Sequence, residues 1–148
     1  MKTNKLLLIT LSFLSLFEIG GCDDSDKFSE PELLKTWKLV GFGTTENNEI
    51  QTVKPEDCEE CYTLTFHEDG TFSGQTSTNQ VTGKYEISYQ DKELKILNLG
   101  GTEINELYDG KLYVESLLKV ESYSITERGL ELYYNSKKQF LLFKPIIS

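Results

Sequence analysis

Polar and apolar residues alternate along Tyr62-Thr63-Leu64-Thr65-Phe66-His67, placing Tyr62, Leu64 and Phe66 on one face. A period of two is that of a half-buried strand. Glu68-Asp69-Gly70 supplies a turn, a returning strand follows, and a polar link holding Asn79 leads to a third strand over Lys84–Tyr89. Upstream, Thr36–Phe42 reads as the first strand, with Trp37 and Leu39 facing inward. Ser29 stands three residues before Glu32 and Phe28 precedes Leu33 in the manner of a capping box and staple, which predicts a short helix plugging one end with Leu33 and Leu34. Pro31 keeps that helix short. From Gly43 to Glu60 the chain is polar, a loop with a short edge strand at Ile50–Val53.

Glu93–Leu99 is the next strand. Its apolar residues fall on both faces, Leu94 and Ile96 against Leu97 and Leu99, which predicts cover on both sides at its far end. The period changes at Asp109–Lys119. Tyr113, Val114, Leu117 and Leu118 form one apolar face of a helix, and Asp109 stands where an N-cap belongs. Leu112 and Val114 also alternate, so a strand is the competing reading. Val120–Ile125, Leu130–Tyr134 and Gln139–Lys144 close the chain, joined by Glu127-Arg128-Gly129 and Asn135-Ser136-Lys137. Many short strands with one interposed helix predict a mainly β (α+β) domain. The expected form is a small curled antiparallel sheet or open barrel with one helix packed over an end.

The N-terminus follows a different pattern. Lys2 and Lys5 precede an apolar run from Leu6 to Phe17, and Ile19-Gly20-Gly21-Cys22 follows. This is the layout of a secretory signal, and the run is shorter than the roughly 20 apolar residues a membrane-spanning helix needs. Ile19-Gly20-Gly21-Cys22 resembles the bacterial lipoprotein cleavage box, which makes Cys22 the lipid attachment site, with several acyl chains giving firm anchoring. Asp23-Asp24-Ser25-Asp26-Lys27 is too charged to pack. It resembles the export signal of Bacteroidetes lipoproteins, although a plain solvated tether has the same composition. The expected organisation is a signal peptide over 1–21, an acidic tether over 22–32 and a β domain over 33–148, in an outer-membrane lipoprotein facing the periplasm or the cell surface.

The 148 residues carry a formal charge of −9. Removing residues 1–21 takes away Lys2, Lys5 and Glu18, which leaves 13 basic and 23 acidic residues and a charge of −10. Such a surface repels phosphate backbones, so nucleic acid is excluded as a partner. The expected partners are the membrane, through the lipid, and an envelope protein or a small apolar ligand.

The mature domain resembles the META/HslJ-like family over about Leu34–Pro145. The resemblance rests on Trp37-Lys38-Leu39, on Gly74, Asn79, Gly83 and Tyr85 in the segment Gly74–Tyr85, and on the run Tyr113–Ile125 with Leu117 and Tyr123. It implies a small β-rich envelope domain with a helix over one opening, no catalytic site and a role linked to envelope stress. Thr78 stands where that family has cysteine. The second resemblance is to lipocalin-like lipoproteins, carriers of small apolar molecules, through the Trp strand and Phe66–Phe72. Helix or strand at Asp109–Lys119 is the expected discriminator.

Little else points to chemistry. Cys58-Glu59-Glu60-Cys61 is a candidate redox pair, but Glu56, Asp57, Glu59 and Glu60 disfavour a thiolate, and a local disulfide fits an oxidising compartment. A zinc site needs four ligands, and His67 is the single histidine. The acidic clusters lack the alternation of a calcium loop. His67-Glu68-Asp69 with Ser73 suggests a triad, but Asp69-Gly70 is turn chemistry and His67 an exposed strand-end residue. No catalytic residue, metal or cofactor is expected.

Overall fold

A computed structural model describes residues 32–147. The expected signal peptide, Cys22, the Ser29 helix start and the tether up to residue 31 lie outside the described residues. The elements are β1 (Thr36–Thr44), β2 (Ile50–Thr52), β3 (Thr63–Phe66), β4 (Thr71–Gln75), β5 (Gln80–Ser88), β6 (Glu93–Gly101), α1 (Gly110–Leu117), β7 (Ser122–Thr126), β8 (Gly129–Tyr134) and β9 (Gln139–Pro145). From β3 to β9 each strand pairs antiparallel with the next. β9 then pairs with β1 from Trp37↔Pro145 to Thr44↔Gln139, so the sheet curls until its ends meet. The other edge of β1 takes β3 at Thr36–Lys38 and β2 at Gly41–Gly43. The domain is mostly β, a nine-stranded curled antiparallel sheet with one helix.

The interior is filled by side chains. Trp37, Leu64, Phe66, Phe72, Leu132 and Phe143 are all buried, each on the inward face that strand alternation assigns it, and Tyr62, just before β3, is buried beside them. Leu33 is fully buried and its carbonyl accepts the Trp37 indole N–H at 2.9 Å. Leu33 therefore plugs the start of β1 as expected, although residues 32–35 form a turn and a bend.

Three local readings are corrected. β5 starts at Gln80 rather than Lys84, because Gln80-Val81-Thr82-Gly83 continues the alternation with Val81 buried. β6 is not covered on both faces. Its pairing with β5 slips between Asn98 and Ile96, so Leu97 is the extra residue of a bulge and stands 51% exposed. A bulge resets the phase of a strand, and Leu99 thereby returns to the core side beside Leu94 and Ile96. Asp109 holds the N-cap position without a capping bond; its carboxylate instead accepts the Lys54 N–H at 2.7 Å. The doubly covered strands are β8 and β9. Leu130, Leu132, Leu141 and Phe143 join the main core, while Phe140 and Leu142 are buried outside it, with the Arg128 guanidinium 5.0 Å over the Phe140 ring.

α1 forms as a helix because Tyr113 and Leu117, one turn apart, both bury completely. The Tyr113 ring meets Tyr62 edge-on at 5.6 Å and Phe143 at 6.3 Å. Its hydroxyl is buried with no hydrogen-bond partner among the described residues. An unpaired buried hydroxyl is a cost. Tyr113→Phe is therefore expected to leave stability unchanged or raise it by up to about 1 kcal/mol, measured by denaturant unfolding. A loss of more than that would mean the hydroxyl has a partner.

Candidate functional site

The densest polar cluster lies where the β4–β5 link meets the 102–109 loop, next to α1. Thr76 and Asn79 are buried there despite being polar. The Asn79 amide donates to the Ile104 carbonyl at 2.7 Å and to Glu106 Oε1 at 2.6 Å, and its carbonyl oxygen accepts from Thr102 Oγ1 and the Ile104 N–H, both at 2.8 Å. Thr76 Oγ1 donates to the Glu106 carboxylate at 2.7 Å and Ser77 Oγ lies 2.9 Å from Glu106 Oε2. Gly110 leaves room for them, since a Cβ there would stand 2.2 Å from Glu106 Oε2 and 2.3 Å from Ser77 Oγ. The cluster latches the loop to the β4–β5 link. Every donor to Glu106 in it is neutral.

A groove of about 370 Å³ runs along this latch, between β6 and α1. Val81, Leu99 and Val114 supply apolar surface, and Glu103, Glu106, Lys111 and Glu115 supply charge. The Lys111 ammonium stands 3.7 Å from Glu115.

The cysteine loop is a second site. Cys58 and Cys61 are joined in a disulfide. The acidic neighbours were legible in the sequence, but the cation was not. Lys38, from β1, donates to the carbonyls of Cys58 and Cys61, and to that of Glu59 at 3.1 Å. Burial lowers the Lys38 pKa, against an opposing pull from Glu59. The three carbonyls occupy the ammonium, so the arrangement ties the loop down.

His67 and Ser73 do meet, Nε2 to Oγ at 2.9 Å, on the outer face of the sheet. The sequence raises this pair as part of a triad and sets it aside because Asp69-Gly70 is turn chemistry; the two do come together, but as a pair. Asp69 does not complete a triad. Its Oδ1 accepts the Thr71 hydroxyl at 2.6 Å and the Thr71 N–H at 3.0 Å, which holds its carboxyl below the usual range. A shallow hollow of about 580 Å³ beside the pair is lined by Thr82, Lys84 and Asn98. Among the described residues no cluster of three or more His, Cys, Asp or Glu could hold a metal.

Several phenols titrate abnormally. Burial pushes Tyr85 and Tyr133 up to about 12 and raises Tyr62 and Tyr113 as well, from an ordinary value of 10.0. A raised phenol pKa means that the folded state favours the neutral form. The stabilisation is complete below pH 10.0 and is lost as pH rises toward about 12. The expected result is a fall in stability over that alkaline window, with phenolate absorbance from these residues appearing only as the fold is lost. Simultaneous titration of all eight tyrosines in the ordinary range would contradict it.

The residues behind the META/HslJ resemblance do not converge on one site. Trp37, Leu117 and Tyr123 are core residues of β1, α1 and β7, and Asn79 belongs to the latch. Gly74 and Gly83 answer close approaches, since a Cβ on either would lie 2.1 Å from a neighbouring carbonyl oxygen, of Thr63 and Asn98 respectively. Tyr85 meets Phe66 edge-on at 4.9 Å and donates to the His67 carbonyl at 2.7 Å.

Fold and latch together define a curled β domain with an inserted helix and a side groove, its interior filled. The chain belongs to the family described as "Domain of unknown function (DUF4847)", whose model matches residues 23–145. It is 25% identical over 142 residues to a Tannerella forsythia protein named "Putative lipoprotein", with 95% of each chain covered. The fold is similar to that of a DUF4847 family protein from Bacteroides vulgatus, at TM-score 0.59 and 18% identity, covering 76% of this chain and 93% of that one. A protein from Burkholderia xenovorans is similar at TM-score 0.60 and 20% identity, over 78% and 83% of the two chains.

These matches correct the META/HslJ assignment, and the envelope-stress role it implied falls with it. The glycines, tryptophan and asparagine that carried it serve strand approach, core and loop tethering, needs common to many small curled sheets. The helix at α1 removes the strand reading but did not discriminate the family. The lipocalin-like carrier is also unsupported, because side chains fill the space where a cargo would sit.

Proposed function

We propose that this protein is a lipid-anchored envelope protein whose β domain is a non-catalytic interaction module. The observation that carries the reading is Ile19-Gly20-Gly21-Cys22 behind a basic, apolar leader. Similarity to a protein named "Putative lipoprotein" over 95% of both chains supports it. Acylation of Cys22 puts the domain on a short acidic tether at a membrane surface, and the acidic run after it favours the outer membrane. The non-catalytic part rests on how the polar groups are used. Glu106, Asn79 and Thr76 are committed to the latch, Lys38 to the disulfide loop and Asp69 to its turn. Among the described residues the His67–Ser73 pair has no orienting acid, since Asp69 is turned to Thr71. What remains available for partners is surface.

Detergent phase partition tests the anchor. The full chain, expressed in a bacterium with lipoprotein processing, is expected to enter the detergent phase and to take up label from a fatty-acid analogue. Cys22→Ala is expected to lose both. Label in the Cys22→Ala protein, or none in the wild type, would overturn the reading.

A further inference from the structure

Among the described residues, β6 has one satisfied edge and one open edge. Along Glu93–Gly101 it is paired with β5, yet its other edge meets β7, among those residues, only at Glu93↔Ser122. One further backbone bond, from Leu94 N–H to the Glu121 carbonyl, closes that corner. Antiparallel ladders alternate between residues bonded to the neighbour and residues turned away. Thr102 N–H donates to the Gln80 carbonyl at 3.1 Å. With Val81↔Gly101, Thr82↔Gly100 and Gly83↔Leu99 in register, this phase turns the N–H and C=O of Leu99 and Gly101 toward the open edge. That edge forms one wall of the groove whose other wall is α1. A free strand edge beside a helix, above an apolar floor, is the geometry that accepts an extended peptide as an added strand.

We infer that this groove binds an extended polypeptide segment of a partner protein by strand addition to β6, with a basic residue next to an apolar one. The apolar residue enters between Leu99, Val81 and Val114, and the basic residue faces the rim. Charge chooses the partner. Three carboxylates, of Glu103, Glu106 and Glu115, face the groove against the single ammonium of Lys111. A second copy of this chain, formally −9, would bring like charge to that rim. Gly101 carries no side chain, since a Cβ there would stand 1.9 Å from the Gln80 carbonyl oxygen of β5. This inference rests on the interaction-module reading and names the partner of that module.

The probe is a short blocked peptide of alternating valine and lysine, titrated into the isotope-labelled full chain in detergent micelles. Binding is expected to shift the Leu99 and Gly101 amides and slow their hydrogen exchange, with little change in exchange at Gly100, already bonded to β5. N-methylation of alternate peptide residues removes ladder donors but keeps the side chains, and is expected to weaken binding by about tenfold or more. Val114→Lys, which removes the apolar contact and opposes the peptide's lysines, is expected to weaken binding while circular dichroism shows the fold intact. Equal binding of the methylated peptide, shifts confined to other surfaces, no binding at millimolar peptide, or self-association of the chain through β6 would each overturn strand addition. Failure here with lipid still on Cys22 would reject the groove assignment alone, whereas an unlabelled Cys22 would reject the anchor.

Discussion

Trp37→Ala is expected to cost about 3–5 kcal/mol, the range for truncating a large buried aromatic. Trp37 is 2% exposed and sits where β1 is paired on both edges, opposite Leu64 on β3 and Pro145 on β9. Its indole N–H also fixes the Leu33 carbonyl, so truncation opens a cavity, frees the plug and loosens the point at which the sheet closes. Whole-domain stabilities are about 5–15 kcal/mol, so the variant loses a large share of its stability. Trp37→Phe keeps most of the volume and drops the indole bond, and should fall between alanine and wild type. Urea unfolding measures both, with the midpoint moving and the slope unchanged. A cost below about 1 kcal/mol for the alanine variant would mean that Trp37 does not anchor the closure.

Asn79→Ala is expected to cost about 2–3 kcal/mol and to release the 102–109 loop. Asn79 is 4% exposed, and one alanine removes four hydrogen bonds, to Thr102, to Glu106 and two to the Ile104 backbone. Amide exchange at Ile104 and Leu107 should accelerate beyond what global destabilisation explains. Asn79→Asp should be worse at neutral pH, because it sets a second carboxylate against Glu106 where the amide now stands at 2.6 Å. Its deficit should shrink as the pair takes up a proton at lower pH. An aspartate variant as stable as wild type at neutral pH would remove Glu106 from the latch.

The strands were legible because alternation of apolar side chains is a direct consequence of pleating. Tyr62, Leu64 and Phe66 are all buried, and the short strand at Ile50 forms on β1. The helix at Tyr113–Leu117 was legible for the same reason at a different period. A bulge defeats that method, because one extra residue at Leu97 inverts the phase and made a one-sided strand look two-sided. Asn79 was singled out, but for a family resemblance rather than for its bonds. Its partner Glu106 lies 27 residues away and looks like any surface carboxylate, so nothing local announces the pair. The nearest signal was Thr76-Ser77-Thr78-Asn79, a run of short donors that needs an acceptor. Lys38 over the cysteine loop was hidden for the same reason, its partners being carbonyls of a segment 20 or more residues downstream.

The anchor is tested most directly by mass spectrometry of the N-terminal peptide of the mature protein from envelope membranes. The expected chain begins at Cys22 and carries diacylglycerol on its sulfur. An N-terminus at any other residue, or an unmodified Cys22, would contradict it.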